Sequence, residues 1–420
     1  MFLINKYTLS NGLRIVHTED RSTQMVALNV LYNVGAKNEA PLKTGFAHLF
    51  EHFMFGGSLH IPDYDTPLQL AGGDNNAWTS NDFTNFYLTV PAHNVETGFW
   101  LESDRMMGLA FSEQALNVQK QVVCEEFKER NLNQPYGDIS LLFRPLAYKT
   151  HPYRWSTIGK ELSHIESATL EDVKDFYNRW YVPNNAILSV VGNIDFEKTV
   201  ALAEKWFGEI ECSPLPKFEI PQEKPQTEAR FLEVERDVPA DCIVKGYHIC
   251  GRTHKDFYVF DLLSDLLSNG NSSRLYQHLV KEKTAFSEVN AYVSGDVDPG
   301  LFYLTGKPLP HISLEEADRL LTQELYRLVE EKPLVSEMEK VKNKFEANSV
   351  FALMNYLNKA MDLAAYESIS SAENIYKEVD FYRDVQTEDV FRVINEYMVP
   401  NNCSTLYYRA RKTASNTTTF

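Results

Sequence analysis

Positive charge is what this chain lacks. Its 41 lysines and arginines face 58 aspartates and glutamates, a formal charge of -17, and such an excess repels both nucleic-acid phosphates and anionic membrane surfaces. Neither is an expected partner. Cysteine is scarce too: Cys124, Cys212, Cys242, Cys250 and Cys403 are odd in number and scattered, without a CxxC pair. That spacing argues for reduced thiols and against a disulfide framework or a thiolate zinc knuckle. No apolar run reaches the roughly 18 residues of a membrane-spanning helix. The opening residues carry no basic stretch followed by a long apolar core and a cleavage site, so the expected location is cytoplasmic.

What is present suffices for sizeable cores. The 420 residues are 44% hydrophobic and 12% aromatic, and a chain of this length exceeds the size at which one core stops growing. Two domains are therefore expected. Residues 5–33 alternate apolar and polar around Asn11-Gly12, a hairpin or strand-pair signal. From Gly45, apolar Phe46, Leu49, Phe50 and Phe53 recur at helical spacing until Gly56-Gly57. A strand is expected over 82–90, helices over 95–109, 113–129 and 169–180, and an apolar strand over 186–191. Residues 211–225 hold four prolines among charged residues and read as a linker.

The chain repeats itself across that linker. Glu171-Asp172-Val173 returns as Glu388-Asp389-Val390, and Val182 to Asn185 returns as Val399 to Asn402, both at an offset of 217. Phe86 to Thr89 returns as Phe302 to Thr305 at an offset of 216. A shared offset marks a duplication. The expected organisation is two tandem copies of one α+β domain, 1–210 and 226–420, joined by 211–225.

Chemistry concentrates in the first helix, in His48-Leu49-Phe50-Glu51-His52. At 3.6 residues per turn, positions 48 and 52 stack on one face, and Glu51 lies close beside them. Two imidazoles so placed can share a cation, and a neighbouring carboxylate can handle a proton of the attacking water. The order inverts HExxH, a recognised zinc-peptidase signature. Hydrolytic zinc takes about three protein ligands, so a third must come from elsewhere. The region 121–129 offers adjacent Glu125 and Glu126, of which only one can face the metal; spacing does not choose between them. Val118, Val122 and Phe127 on the same helix describe a face expected to pack inward. His17, His60, His93, His151, His248 and His278 lack ligand spacing and are expected to be structural or surface residues.

These motifs, with Leu9-Ser10-Asn11-Gly12-Leu13, Gly72-Gly73 before Asn76-Ala77-Trp78-Thr79, and Ser272-Ser273-Arg274-Leu275-Tyr276, resemble those of the pitrilysin-type M16 metallopeptidases, the inverzincins. The resemblance spans nearly the whole chain. It implies one Zn2+ per chain held by His48, His52 and Glu126, with Glu51 as general base in a peptidase acting on peptides or unfolded segments. It also implies that Asn76 to Thr79 form an edge strand pairing with the substrate backbone, and that the chain is one half of a clamshell. Two features depart from the pattern. Gln119 stands where many relatives carry a supporting glutamate seven residues before the third ligand. Around 289–307 there is no arginine, only Tyr292 and Tyr303, where relatives supply an arginine and a tyrosine to the substrate. The expectation is therefore a homodimer or a heterodimer with a related half-unit. The counterparts of His48 and His52 in the second copy fall near Asp265 and Asn269, which excludes a second metal site there. A non-catalytic core or assembly subunit and a peptide-binding protein of the same fold are the alternatives.

Overall fold

β-Branched and aromatic runs bounded by turn residues become eleven strands in two sheets in the computed structural model, which describes residues 2–217 and 219–411. The first sheet comprises β1 (Asn5–Thr8), β2 (Arg14–Glu19), β3 (Met25–Tyr32), β4 (Asp74–Thr79), β5 (Thr84–Pro91) and β6 (Ala186–Gly192), in the order β1-β2-β6-β3-β5-β4. Only β2 and β6 pair in parallel. Asn11-Gly12 turns β1 into β2, as its sequence indicates, with Gly12 at φ +87.

Strand β6, AILSVVG, is buried at every position. Such a continuous apolar run needs cover on both faces of the sheet. On one face Leu28, Val30, Leu88 and Leu188 meet the helices Phe46–Phe53 and Val95–Met107 through Leu49, Phe50, Phe99 and Leu101. On the other, Val16, Ala27, Leu31, Ile187 and Val191 pack under Ala360, Leu363 and Ala364 of the helix Tyr356–Ile369.

The second sheet comprises β7 (Arg230–Arg236), β8 (Cys242–His248), β9 (Phe286–Val293), β10 (Leu301–Pro308) and β11 (Cys403–Ala410), ordered β7-β11-β8-β10-β9. It reproduces the first from β2 onward, including one parallel pair, β7 with β11. Its core joins Ile243, Tyr247 and Leu304 to the helices Asp256–Ser268, Leu314–Glu330 and Thr387–Tyr397. The repeated Val-Pro-Asn-Asn acquires a physical reason: the last asparagine of each copy, Asn185 or Asn402, donates to the final carbonyl of the preceding helix, Trp180 or Tyr397, at 2.8 Å. Each copy thereby fixes the angle at which a helix feeds a strand. The fold is α+β with two similar sheets.

The two compact units are not two sequential stretches. One contains the chain up to Glu129, Thr150–Gln222 and Glu346–Val379, and the other Arg130–Lys149, Glu223–Phe345 and the chain from Asp380. Relative to boundaries at 210 and 226, each copy lends a helical segment to the other. The loan is required by burial: Phe143 of the helix Ile139–Ala147 fills the space above Gly246, where an added Cβ would lie 2.7 Å from its ring. Residues 211–217 and 219–225 carry no regular secondary structure. All five cysteines are free, and no helix among the described residues is long and apolar enough to cross a membrane.

Candidate metal centre

The helix Phe46–Phe53 begins at Gly45, whose φ of +90 suits glycine and whose added Cβ would lie 2.8 Å from the carbonyl oxygen of Ile158. A glycine N-cap offers no side chain to the first backbone N–H groups. Glu39 supplies it from outside the helix, accepting from Gly45 N–H at 2.9 Å and Ala47 N–H at 2.8 Å. Burial pushes this carboxyl up to about 8, against the opposing pull of the Ala47, Gly45 and Phe46 amides. Phe50 locks the helix in place, its ring 5.4 Å from Phe176 and 5.0 Å from Tyr181.

With that face buried, His48 and His52 share the opposite side, their ring centroids 4.9 Å apart. Glu126 reaches them from the helix Glu113–Phe127, its Oε2 3.2 Å from His52 Nε2 and 3.5 Å from His48 Nε2. The ligand atoms of the three residues all lie within 4.8 Å of one another. A tetrahedral zinc site with bonds of about 2.0–2.1 Å sets its ligand atoms about 3.3 Å apart. The two histidine–glutamate separations match that spacing, and two imidazoles with one carboxylate are a hydrolytic zinc donor set. Among the described residues no other group of three or more histidine, cysteine or acidic side chains is gathered in this way.

The choice between the adjacent glutamates is resolved by direction. Glu125 projects outward, 73% exposed and paired with Lys128 at 2.7 Å, whereas the Glu126 side chain is 18% exposed. The expected inward packing of this helix is corrected in part: Phe127 is buried, but Val118 and Val122 are exposed. They lie eight and four residues before Glu126, on the same side. Leu116, Val123 and Cys124 bury the other side.

Glu51 is held rather than gathered with the ligands. Its Oε2 accepts a hydrogen bond at 2.6 Å from the hydroxyl of Thr79, the last residue of β4. That strand pairs only with β5 and forms an edge of the sheet, so Asn76, Ala77, Trp78 and Thr79 lie on an edge as anticipated. Asn76 accepts from the backbone N–H of Ala77 at 2.8 Å. Gln119 is near Gly56, where an added Cβ would lie 3.3 Å from its Nε2, and it is not one of the gathered ligands. Of the remaining histidines, His17 meets the Ile194 carbonyl, His60 meets Asp104, His248 meets the Ala147 carbonyl and His278 meets Glu324.

In the second unit the places of the two histidines are taken by a hydrogen-bonded pair, with Asn269 donating to Asp265 at 2.6 Å. Tyr292 and Tyr303 face each other across β9 and β10 with rings stacked 4.8 Å apart. An arginine does stand near them, but it comes from the lent helix: burial raises both phenols and the charge of Arg144 opposes the rise. The sequence window 289–307 misses it because Arg144 is a distant neighbour in sequence.

Duplicated α+β sheets, one bearing an inverted histidine–glutamate motif and a third carboxylate, define the class of an M16-type fold with a candidate metal site. Residues 14–150 match the family model described as insulinase (peptidase family M16), and residues 167–345 match peptidase M16 inactive domain. The chain belongs to the pitrilysin-type M16 peptidase family. It is 29% identical over 411 residues to the zinc protease PqqE of Helicobacter pylori, covering 96% of this chain and 92% of that one. An uncharacterized zinc protease of Bacillus subtilis, YmxG, is 25% identical, with 84% of this chain and 85% of the relative covered. The crystal structure of a protease from Helicobacter pylori superposes with a TM-score of 0.91 at 29% identity, over 97% of this chain and all 100% of the other. The periplasmic protease PqqL of Escherichia coli shares the fold at 18% identity with a TM-score of 0.80, this chain matching 48% of its length.

Proposed function

We propose that the chain is a zinc-dependent metalloendopeptidase for peptides or unfolded polypeptide segments. The observation that carries this reading is the convergence of His48, His52 and Glu126 within bonding distance of one point, with Glu51 held alongside by Thr79. His48, His52 and Glu126 would hold the zinc, which when bound supplies Lewis acidity to polarise a scissile carbonyl and acidify water. Glu51 takes a proton from the attacking water and returns it to the leaving nitrogen. The open edge of β4 pairs with the substrate backbone, so recognition rests on main-chain hydrogen bonds and is tolerant of sequence. The match described as an inactive domain covers 167–345, whereas Glu51 and the three ligands lie within 14–150. That label therefore bears on the copy without ligands. A second half-unit, identical or related, completes the enclosure in this reading.

The test is elemental analysis and peptide cleavage on wild type, Glu51→Gln and Glu126→Gln. Wild type and Glu51→Gln should each hold one zinc per chain, and Glu126→Gln should lose it. Glu51→Gln should lose activity by about 10²–10⁴-fold, the usual contribution of a positioned base. Undiminished cleavage by zinc-loaded Glu51→Gln would overturn the proposal.

A further inference from the structure

Resting on that reading, we infer that Thr79 is a positioning residue that locks the general base to the strand on which the substrate aligns. Side chains alternate across a strand, so Ala77 and Thr79 share a face, and Ala77 packs against the core that contains the metal-site helix. Thr79 therefore faces Glu51, and its hydroxyl donates to Glu51 Oε2 at 2.6 Å. A hydroxyl on a carboxylate at that length is a charge-assisted bond, among the stronger side-chain contacts. β-Branching restricts χ1 of threonine, so the donor is held in direction as well as in place.

The backbone beneath it is equally fixed. Thr79 lies opposite Thr84 in the β4–β5 ladder, the Thr84 hydroxyl donates to the Val34 carbonyl at 2.9 Å, and Ser80 N–H closes the turn on the Phe83 carbonyl at 2.8 Å. Glu51 itself is partly exposed on a helix of eight residues, where a glutamate side chain has several rotamers to choose from. The Thr79 bond selects one. A peptide pairing with β4 is then registered against the same strand that holds the base, so the scissile bond and the proton acceptor share one reference frame. Misplacement of either would separate them.

The experiment compares Thr79→Val, which keeps the shape and removes the donor, with Thr79→Ser, which restores the hydroxyl. Zinc per chain, kcat and KM on a fluorogenic peptide, and calorimetric binding of a capped dipeptide hydroxamate are measured for each. Loss of one hydrogen bond to a charged group corresponds to about 10–100-fold. Thr79→Val should lower kcat by about that factor with KM within about twofold and zinc retained, and Thr79→Ser should recover most of the loss. The hydroxamate, whose hydroxyl needs Glu51 in the rotamer that Thr79 selects, should bind at least about tenfold more weakly to Thr79→Val. An unchanged kcat, a loss confined to KM, loss of zinc, or a serine variant no better than valine would each overturn the inference. If zinc-loaded wild type cleaves nothing, the peptidase reading fails separately, and hydroxamate affinity still decides the role of Thr79.

Discussion

Glu39 gives the sharpest test of how this site is built, because it is the one carboxyl at the root of the metal-site helix. Its replacement by glutamine keeps the volume and abolishes titration. The carboxyl is pushed from an ordinary value of 4.5 up to about 8 by burial. An acid whose folded pKa exceeds its unfolded one binds its proton more tightly when folded. Its contribution is complete below about pH 4.5 and is lost as pH rises through about 8, with a limiting slope of about 1.4 kcal/mol per pH unit. All five tryptophans, Trp78, Trp100, Trp155, Trp180 and Trp206, fall in the unit that contains Glu39. Tryptophan fluorescence during urea unfolding of the zinc-free protein therefore reports on that unit. Between pH 5 and pH 8 wild type should lose stability relative to Glu39→Gln, the gap widening in steps of up to about 1.4 kcal/mol per unit. Parallel pH profiles would refute the reasoning and show that the Gly45, Phe46 and Ala47 amides hold the carboxylate charged throughout.

Glu125→Gln should leave zinc content and cleavage unchanged, as measured by elemental analysis and turnover, because its side chain points at Lys128 and away from the ligands. Leu363→Ala should destabilise the first unit by about 2–5 kcal/mol, seen by tryptophan fluorescence, since it empties a fully buried position against β3 and β6. Gly45→Ala should cost at least about 1–2 kcal/mol of stability from its left-handed φ alone. Chelator competition should show weaker zinc retention in the same variant, because the contact with Ile158 tilts the helix bearing both histidines.

Much of this architecture is legible in the sequence because its signals are local. The helix over His48 and His52 shows in the spacing of Phe46, Leu49, Phe50 and Phe53, and the observed Phe46–Phe53 stops short of Gly56 as that spacing requires. The duplication shows in Val-Pro-Asn-Asn because one asparagine makes the same bond in both copies. What escapes is long-range. Val118 and Val122 look like core from their apolarity, yet they lie exposed on the side of the helix that presents Glu126 to His48 and His52. Glu39 carries no motif; the only hint is a helix beginning at Gly45, without a capping side chain, which implies an acceptor from elsewhere for the first N–H groups. Thr79 could be placed on an edge strand by resemblance, but its bond to Glu51 depends on how β4 lies against the helix. The exchange of helical segments has no sequence signature at all, since apolar helices fit either sheet in composition.

That exchange sets a timetable for synthesis. Chains leave the ribosome from the N-terminus, and β3 and β6 emerge long before residues 356–369. Until then Val16, Ala27, Leu31, Ile187 and Val191 have nothing over them. A nascent chain can possess His48, His52 and Glu126 and still lack the cover of the sheet that supports them. Completion of the first unit's core thus waits until residues 356–369 have been made, so the two faces of its sheet are closed at different times.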